Sequence, residues 1–597
     1  MLPFDDSRRL TGANLFFASP GAVLEVVGIP VDEPLLAGWR ERVGRARAHL
    51  GWSAAGLMAR VHKGGASLAL AAPFDLLFLA TEVNEWALCA TLQERDPVRW
   101  SGLAEAMHLA ALADAVEPAT VLAAVLEEPA AMARFARLAE REIRPQQRAL
   151  VAAAVARALP HLLDEHELTL GAGTGARSFP LDALPVPAAV PWGELHDIPT
   201  ALVTGSNGKT TTVRLLAACA RAHGWRAGLN CTDGVYVDGE ALVSGDYSGP
   251  AGTRRVLREP RAEAAILETA RGGILRRGIV VSHAHVAVVT NVSTDHFGEY
   301  GIHDLSALAD AKLAVAGVVK HDGLLVLNAD DELLRAKATE LTRRFGACPP
   351  LGWFALDASL PALIAYRAQG APTCGVRGGQ LILDHGGAEH NLGSVAAMPL
   401  AIGGIAAYNV ANLAAAALAA AALGIAPPAI VAACARFGAE LKDNPGRMMR
   451  FELGGVQLLM DYAHNPESLR GFLTVAQRLR GRGRLAVLLG HAGNRRDADI
   501  EEVSRVVAGF RPELVVVKEI ATHLRGRTPG EVPQLIHAAL LGAGLPESAI
   551  EMRDSELEAA HCAIEWARPG DVVGLLVHSP AGRTAVLEML ASRNAGT

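Results

Sequence analysis

The stretch VTGSNGKTTT, Val203 to Thr212, places two glycines, one lysine and four threonines between an apolar run and an alanine-rich segment with helical spacing. Glycines after a strand let the backbone turn tightly, so that successive N–H groups converge while a helix N-terminus adds partial positive charge. Such a concavity holds phosphate. The cradle comprises Gly205, Ser206, Asn207, Gly208, Lys209, Thr210 and Thr211. Lys209 is placed to reach the outer phosphates as a point charge, and Thr210 to offer its hydroxyl to Mg²⁺. The loop is shorter than GxxxxGK[ST], because Val203 stands where that pattern has its first glycine. A glycine turn carrying a solvated lysine is the blander reading, and the strand before it and the hydroxyl run after it argue against that.

A phosphate loop needs a sheet to present it. From Ile198 onward short apolar runs alternate with helical ones: IPTALVTG, AEAAILETA, HVAVVTNV and GLLVLNADD. This alternation predicts an α/β fold whose central P-loop-type parallel sheet is covered by helices on both faces, with ligands at the carboxyl ends of its strands. A second series after Gly446, namely VQLLMDYAHNP, RLAVLLGHAGN, PELVVVKEI and DVVGLLVHSP, predicts a Rossmann-like α/β domain at the C-terminus. Residues 1 to 195 are rich in Ala, Leu and Arg, with helical spacing from about Leu103 to Leu163 and the strand-like run GAVLEVVGI before it. A mixed or helix-rich N-terminal domain is expected there. The segment PLDALPVPAAVPWGELHDIP carries five prolines and reads as the connection into the next domain. The expected domains are 1–195, 196–440 and 441–597.

Composition narrows the function classes. At 597 residues the chain exceeds one hydrophobic core, and half its residues are apolar while a fifth are charged, as in a well-buried enzyme. A net charge of -7 supplies no basic field for nucleic acid. Seven cysteines are scattered without CxxC spacing, which indicates neither a disulfide framework nor a zinc site and implies a reducing compartment. The longest apolar stretches, LALAAPFDLLFLA and LAAAALAAAALGI, fall short of the roughly 20 residues a membrane span needs. The start MLPFDDSRRL has no apolar signal region, and the expected location is cytoplasmic, with no membrane partner.

The loop resembles the nucleotide loop of the Mur ligase family, whose ATP-dependent members include the peptidoglycan amino-acid ligases, folylpolyglutamate synthetase and the C-terminal part of cyanophycin synthetase. Further stretches match in consistent order over about residues 198 to 597. The resemblance implies that Glu268 in LETARGGILRRG and His296 in TNVSTDHFGEYG, each after a successive central strand, bind Mg²⁺ together with Thr210. It implies that Lys312 in DAKLAVAGVV stands where many members carry a carbamylated lysine that helps to hold a second Mg²⁺. AAYNVANLAAAA is similar to the family's adenine-side motif through Asn409 and Asn412. Arg447 in NPGRMMRFE, with Asp461 and His464 in MDYAHNPES, resembles the ATP contacts of the C-terminal domain, Asp461 facing the ribose. LETARGGILRRG, HAGNRRDADIEE and VKEIATHLRGRTPGEV resemble the Mur-like half of cyanophycin synthetase in particular, though the chain has no room for that enzyme's ATP-grasp domain. RRLTGANLFF and TEVNEWALCA distantly resemble its N-terminal domain.

The implied reaction is ATP-dependent amide formation between a carboxylate and an amine through an acyl phosphate. Two anions meet in its first step, so positive charge on the phosphates is the main demand, which Lys209 and Mg²⁺ would meet. Thr210 and Glu268 suit Mg²⁺ as sparse hard ligands, while His296 is softer than that ion usually selects, so its role rests on the resemblance. Lys312 as a carbamate would be an anionic oxygen ligand; as an amine it would contact phosphate. The substrates implied are amino acids, dipeptides or a cyanophycin-like acidic polyamide, and a homo-oligomer is expected. A non-catalytic nucleotide- or polymer-binding partner of another ligase is the alternative, and the joint presence of Lys209, Thr210, Glu268, His296 and Asp461 disfavours it. A P-loop motor would need a Walker-B-like Asp that LETARGG does not supply. Arg271, Arg276 and Arg277 could steer anions toward the metal site, and Arg495 and Arg496 a substrate carboxylate, against the plainer reading of exposed charge. Asn409 and Asn412 could equally be capping amides. Asp461 and Arg447 belong to a different domain from Lys209, so closure about the Gly446 region is expected.

Overall fold

The computed structural model describes residues 2–53, 56–107, 125–294 and 297–595. Among them four sheets form. The N-terminal domain opens with an antiparallel sheet of β1 (Phe4–Leu10), β2 (Gly21–Val27), β3 (Leu57–His62) and β4 (Gly65–Ala71), in the order β1-β2-β4-β3. Its strand β2 is the predicted GAVLEVV run. Helices α1 (Glu33–Leu50) and α2 (Leu77–Arg95) cover one face, joined by a buried Trp39 whose indole N–H donates to Asn84 Oδ1 at 2.8 Å. The helical spacing read from Leu103 to Leu163 resolves into α3 (Glu128–Glu142) and α4 (Pro145–Val155), and ends in a strand rather than a helix. Residues 108–124 of that span lie outside the described residues. A small antiparallel sheet of β5 (His161–Leu163), β6 (Glu167–Leu170) and β7 (Arg177–Pro180) follows. The proline-rich connection then passes through two short 3₁₀ turns, Pro187–Ala189 and Trp192–Glu194.

The central domain is built on an eleven-stranded sheet. Its parallel core comprises β8 (Thr200–Thr204), β9 (Ala227–Cys231), β12 (Ala264–Glu268), β13 (Ala284–Val289), β14 (Val319–Asn328), β15 (Leu351–Asp357) and β16 (Thr373–Arg377), in the order β9-β12-β8-β13-β14-β15-β16. Antiparallel strands extend both edges, β10 (Gly234–Val237) and β11 (Glu240–Ser244) on one side and β17 (Gln380–His385) and β18 (Ala388–Ser394) on the other. Because side chains alternate along a strand, Ala201 and Val203 of β8 enter one core and Leu202 enters the other. Helix α5 (Lys209–Ala222) lies over the first face. The short α6 (Arg271–Arg277) contributes Ile274 to the second. Helix α7 (Leu305–Lys312) packs beside it, and α8 (Ala407–Ala422), whose alanines permit close approach, joins α5.

The C-terminal sheet runs β19-β20-β24-β21-β22-β23, with β19 (Met449–Leu453) antiparallel and β20 (Val456–Asp461), β21 (Leu485–Leu489), β22 (Leu514–Lys518), β23 (Ile550–Arg553) and β24 (Val572–Leu576) parallel. The four apolar runs read after Gly446 are β20, β21, β22 and β24. Helix α9 (Pro466–Leu479) follows β20, capped by Asn465 in a capping box with Ser468, and α10 (Glu556–Trp566) packs on β22. The N-terminal domain docks on the central one through backbone bonds, Thr11 N–H to Arg277 O at 2.8 Å and Ile279 N–H to Ala13 O at 2.7 Å. An apolar cluster of Leu10, Phe16 and Val23 with Leu275, Ile302 and Leu308 seals the same junction. No helix among the described residues is long and apolar enough to cross a membrane.

Candidate active site

The predicted phosphate loop leaves β8 and enters α5 at the carboxyl end of the parallel core. Gly205 and Gly208 both have positive φ, 149° and 83°. A Cβ at Gly205 would lie 1.8 Å from Thr290 Oγ1, and one at Gly208 2.2 Å from Asn412 Oδ1, so neighbouring elements close on bare backbone here. The first half of the loop is held rather than open. Ser206 N–H donates to Asn291 O and Asn207 N–H to Asn291 Oδ1, both at 2.9 Å, and Ser206 Oγ donates to Ser293 O at 3.0 Å. Ser206 and Asn207 therefore anchor the turn to the loop after β13. The anion-facing amides are left to the first turn of α5, whose N–H groups have no intrahelical partner. Lys209 curls over this turn, its Nζ donating to the carbonyls of Gly205 at 3.0 Å and Ser206 at 3.1 Å.

Behind the lysine, Thr210 Oγ1 donates to Glu268 Oε2 at 2.8 Å, and Thr232 Oγ1 to Glu268 Oε1 at 3.2 Å. Glu268 ends β12 and is 0% exposed. Burial pushes its carboxyl above the ordinary carboxylate range, opposed first by the charge of Lys209 and then by Thr210. A buried carboxyl beside a hydroxyl and a phosphate loop is a hard, oxygen-only donor set, and a cation there would offset the cost of ionising it. No group of three or more His, Cys, Asp or Glu side chains placed to hold a metal ion exists among the described residues, so a cation at this point would rely on phosphate or water for its remaining ligands. That pattern fits Mg²⁺. His296 lies outside the described residues. Lys312, 2% exposed at the end of α7, is not part of the cavity wall.

Asn409 and Asn412 are buried on α8 and bonded to each other, Asn412 Nδ2 to Asn409 Oδ1 at 3.2 Å, while Asn409 Nδ2 donates to Leu400 O at 3.1 Å. Thr212 Oγ1 reaches Asn412 Oδ1 at 3.4 Å. The pair thus braces the start of α5 from the side.

The C-terminal domain closes the other wall. Asp461, the last residue of β20, accepts N–H bonds from Met448 at 2.7 Å and Ala463 at 2.8 Å. Burial raises its pKa, and the Arg447 guanidinium opposes the rise. Arg447 stacks over the Tyr462 ring at 4.5 Å, and His464 turns its Nδ1 toward Tyr462 O at 3.1 Å. Lys209, Thr210, Glu268, Asn409, Arg447 and Asp461 all border one cavity of about 630 Å³. Three bonds hold the two domains together around it: Asn465 Nδ2 to Asn207 Oδ1 at 2.8 Å, Asn444 Nδ2 to Thr211 Oγ1 at 3.1 Å, and Arg583 Nη2 to Asp233 Oδ1 at 3.1 Å. Gly446, at φ 68°, sits under Arg583, whose Nη1 would lie 2.5 Å from an added Cβ.

Sequence reasoning missed several members of this wall. Tyr408 stands within the quoted AAYNVANL, and its hydroxyl is buried without a hydrogen-bond partner beside the cavity. Asp330 and Asp331 end the NADD run after β14, where the strand was read but its polar tail was not; Asp331 Oδ2 accepts from Val292 N–H at 2.8 Å. Arg271, by contrast, pairs with Glu299 at 2.6 Å, while Arg276 and Arg277 are exposed. Arg496 bonds Asp499 at 2.6 Å on the surface, and Arg495 borders only a separate crevice of about 20 Å³ beside His464.

Two family models match the chain. The Mur ligase middle domain matches residues 203–355, and the Mur ligase, glutamate ligase domain matches residues 446–576. The cyanophycin synthetase of Synechocystis sp. is 33% identical over 403 residues, 68% of this chain and 45% of that protein. That of Nostoc sp. is 34% identical over 382 residues, 64% of this chain and 41% of that protein. The chain spans less than half the length of these relatives. The UDP-N-acetylmuramoyl-L-alanyl-D-glutamate–2,6-diaminopimelate ligase of Xanthomonas campestris pv. campestris is 32% identical over 421 residues, 66% of this chain and 77% of that enzyme. Among solved structures, E. coli FolC in complex with DHPP and ADP is similar at 19% sequence identity and a TM-score of 0.49, covering 66% of this chain and 89% of that one.

Proposed function

The chain belongs to the Mur ligase family, and we propose that it is an ATP-dependent ligase joining the carboxylate of an amino acid, short peptide or acidic polyamide to an amine. The observation that carries this reading is the meeting of Lys209, Thr210 and Glu268 from one domain with Arg447 and Asp461 from another around a single cavity of about 630 Å³. A nucleotide would occupy that cavity with its phosphates at the N-terminus of α5 and its sugar near Asp461.

In the reaction a carboxylate oxygen attacks the γ-phosphorus, the bond from that phosphorus to the β–γ bridging oxygen breaks, and ADP leaves. The amine nitrogen then attacks the acyl carbon, phosphate leaves, and the nitrogen gives up a proton. Lys209 exchanges its two carbonyl partners for phosphate oxygens and neutralises charge as two anions approach. Thr210 and Glu268 would hold Mg²⁺, with His296 as the further ligand the family pattern implies; the ion would screen the phosphate oxygens. Ser206 and Asn207 fix the loop through Asn291 and Ser293, so that only the Lys209 side chain has to move. The acyl acceptor is assigned only by analogy: cyanophycin synthetases and a diaminopimelate-adding ligase are among the relatives, and an aspartate-containing acceptor is the first to test.

Purified protein given ATP, Mg²⁺ and pooled amino acids or acidic dipeptides is expected to release ADP and phosphate in an amino-acid-dependent way and to yield a condensed product by mass spectrometry. Lys209→Ala is expected to lower both by a factor of about 10² to 10³. No substrate-stimulated turnover across a broad panel would defeat the proposal.

A further inference from the structure

A cavity of about 970 Å³, larger than the one beside Lys209, opens where the N-terminal domain, the β5–β6 hairpin and the central domain meet. Its walls include Ser282, two residues before β13, and Val318, the residue before β14. The cavity therefore lies at the amino ends of β13 and β14, the opposite end of the parallel sheet from the carboxyl end of β8, where the phosphate loop begins. The length of the six-residue β13 separates the two by about 20 Å.

The four arginines and four acids on its walls are not paired with one another. Of the acids, Asp75 receives both Nε and Nη2 of Arg148, at 2.7 and 2.9 Å, and Asp164 receives Arg258 Nη1 at 2.6 Å. Glu142 accepts the backbone N–H groups of Phe78 and Leu79 at the start of α2, both at 2.9 Å. Those carboxylates are engaged, which leaves the exposed Glu165. Arg9, Arg254 and Arg277 border the same space and form no ion pair among the described residues. Arg254 is the most telling of them. Its Nε is buried without an acceptor, and its Nη2 finds only Leu163 O at 3.4 Å. Burial lowers its pKa, Asp164 opposes this, and the guanidiniums of Arg258 and Arg277 add to the lowering. His161, which borders the same cavity, likewise has a buried Nδ1 with no partner. Guanidinium forks that repel each other across a roomy cavity are matched by planar or tetrahedral oxyanions.

We propose that this cavity is a second binding site, separate from the nucleotide cavity, for a small polyanion bearing two or more carboxylate or phosphate groups, with Arg254 and Arg277 as its principal ligands. His161 and Ser282 border the same pocket and supply further polar contacts. The proposal does not depend on the ligase reading.

Isothermal titration of the full chain with citrate, and separately with pyrophosphate, tests it. At least one probe is expected to bind the wild type; citrate alone would identify carboxylates as the ligand class and pyrophosphate alone phosphates. Arg254→Ala and Arg277→Ala are each expected to weaken that binding at least about tenfold, Arg254→Lys to weaken it less, and Lys209→Ala to leave it unchanged. Arg277 is exposed, so Arg277→Gln carries the test should Arg254→Ala fail to fold. The proposal falls if neither probe binds, if affinity is unaltered in the folded arginine variants, or if Lys209→Ala removes it.

Discussion

Lys209 and Lys518 both stand at the carboxyl end of a parallel strand, the first just beyond β8 of the central sheet, the second as the last residue of β22 in the C-terminal sheet. Lys209 is half-buried, touches only backbone carbonyls and borders a cavity. Lys518 is 0% exposed, and its Nζ bonds Glu556 Oε1 and lies 3.3 Å from His578 Nδ1. Burial alone would push Glu556 up, yet Lys518, the N–H groups of His578 and Ser579 and the Ser579 hydroxyl hold its carboxyl below the usual range. Burial in turn lowers the Lys518 pKa and Glu556 opposes that fall, so each group favours the charged form of the other. Through this pair His578 is fixed so that its Nε2 meets Ala463 O at 3.1 Å, two residues after Asp461. One lysine has its charge neutralised inside the fold and positions a loop. The other keeps its charge available to a ligand. The difference teaches that a catalytic cation is recognised by what it lacks.

The comparison breaks most visibly in the C-terminal domain. Lys518→Met leaves Glu556 buried without its partner, and chemical denaturation is expected to report a loss of about 3–5 kcal/mol. Adding Glu556→Gln is expected to recover a large part of it. A small loss in the single variant would mean that Lys518 is not paired as described. The mirror experiment is Lys209→Ala, for which turnover is expected to fall by a factor of about 10² to 10³, as when one preorganised donor to a developing charge is removed. Its unfolding midpoint should stay near the wild-type value, since only two hydrogen bonds to carbonyls are lost. A Lys209 variant that unfolds as readily as the Lys518 variant would erase the distinction.

That distinction was only half legible in the sequence. VTGSNGKTTT disclosed Lys209 because glycines, hydroxyls and a strand flank it, and the apolar runs ending in polar residues gave β8, β12, β13, β14, β20, β21, β22 and β24. PELVVVKEI gave β22 but not the burial of its lysine, because the partner Glu556 lies 38 positions away and only β–α packing brings it near. The same limit hid Asp331 and Asn291, which secure the phosphate loop from later turns. In the N-terminal domain the failure had another cause. FDDSRRL and LMARVH are short, mixed in polarity and paired to distant strands, so their alternation is weak beside the alanine-rich helical texture that follows.

Histidines sharpen the contrast by pH. His491 accepts Ala492 N–H at its Nδ1 at 3.0 Å and directs Nε2 to His464 O at 3.0 Å, an arrangement that requires the neutral ring. Burial, then Arg495 and His464, lower its pKa to about 4. The unfolded chain, with its histidine near 6.5, binds the proton first, so this contribution is present above about pH 6.5 and is lost as pH falls toward 4. Full protonation is expected to cost about 3 kcal/mol. Thermal melting of wild type against His491→Gln across that window checks it; parallel pH profiles would show that the ring does not titrate with unfolding. The phosphate loop of the central domain contains no histidine, so no contribution of this kind arises within it.

The smallest effect belongs to Tyr408, a cavity group that, like Lys209, has no side-chain partner. Its ring passes close to Gly471 of the C-terminal domain, where an added Cβ would lie 3.0 Å from Cδ1, so the phenol is threaded between the two domains. Its hydroxyl is buried and meets no acceptor or donor, while Asp461 shares the same cavity. A buried polar atom without a partner is a cost in the free protein that a nucleotide's ribose or base can relieve. Tyr408→Phe removes the cost and the contact together. The KM for ATP is therefore expected to rise about fivefold, near 1 kcal/mol, while kcat changes little and the unfolding midpoint holds or increases slightly. A fall in stability with an unchanged KM would mean that the hydroxyl is satisfied within the protein, and that an unengaged polar atom does not mark the nucleotide's place here.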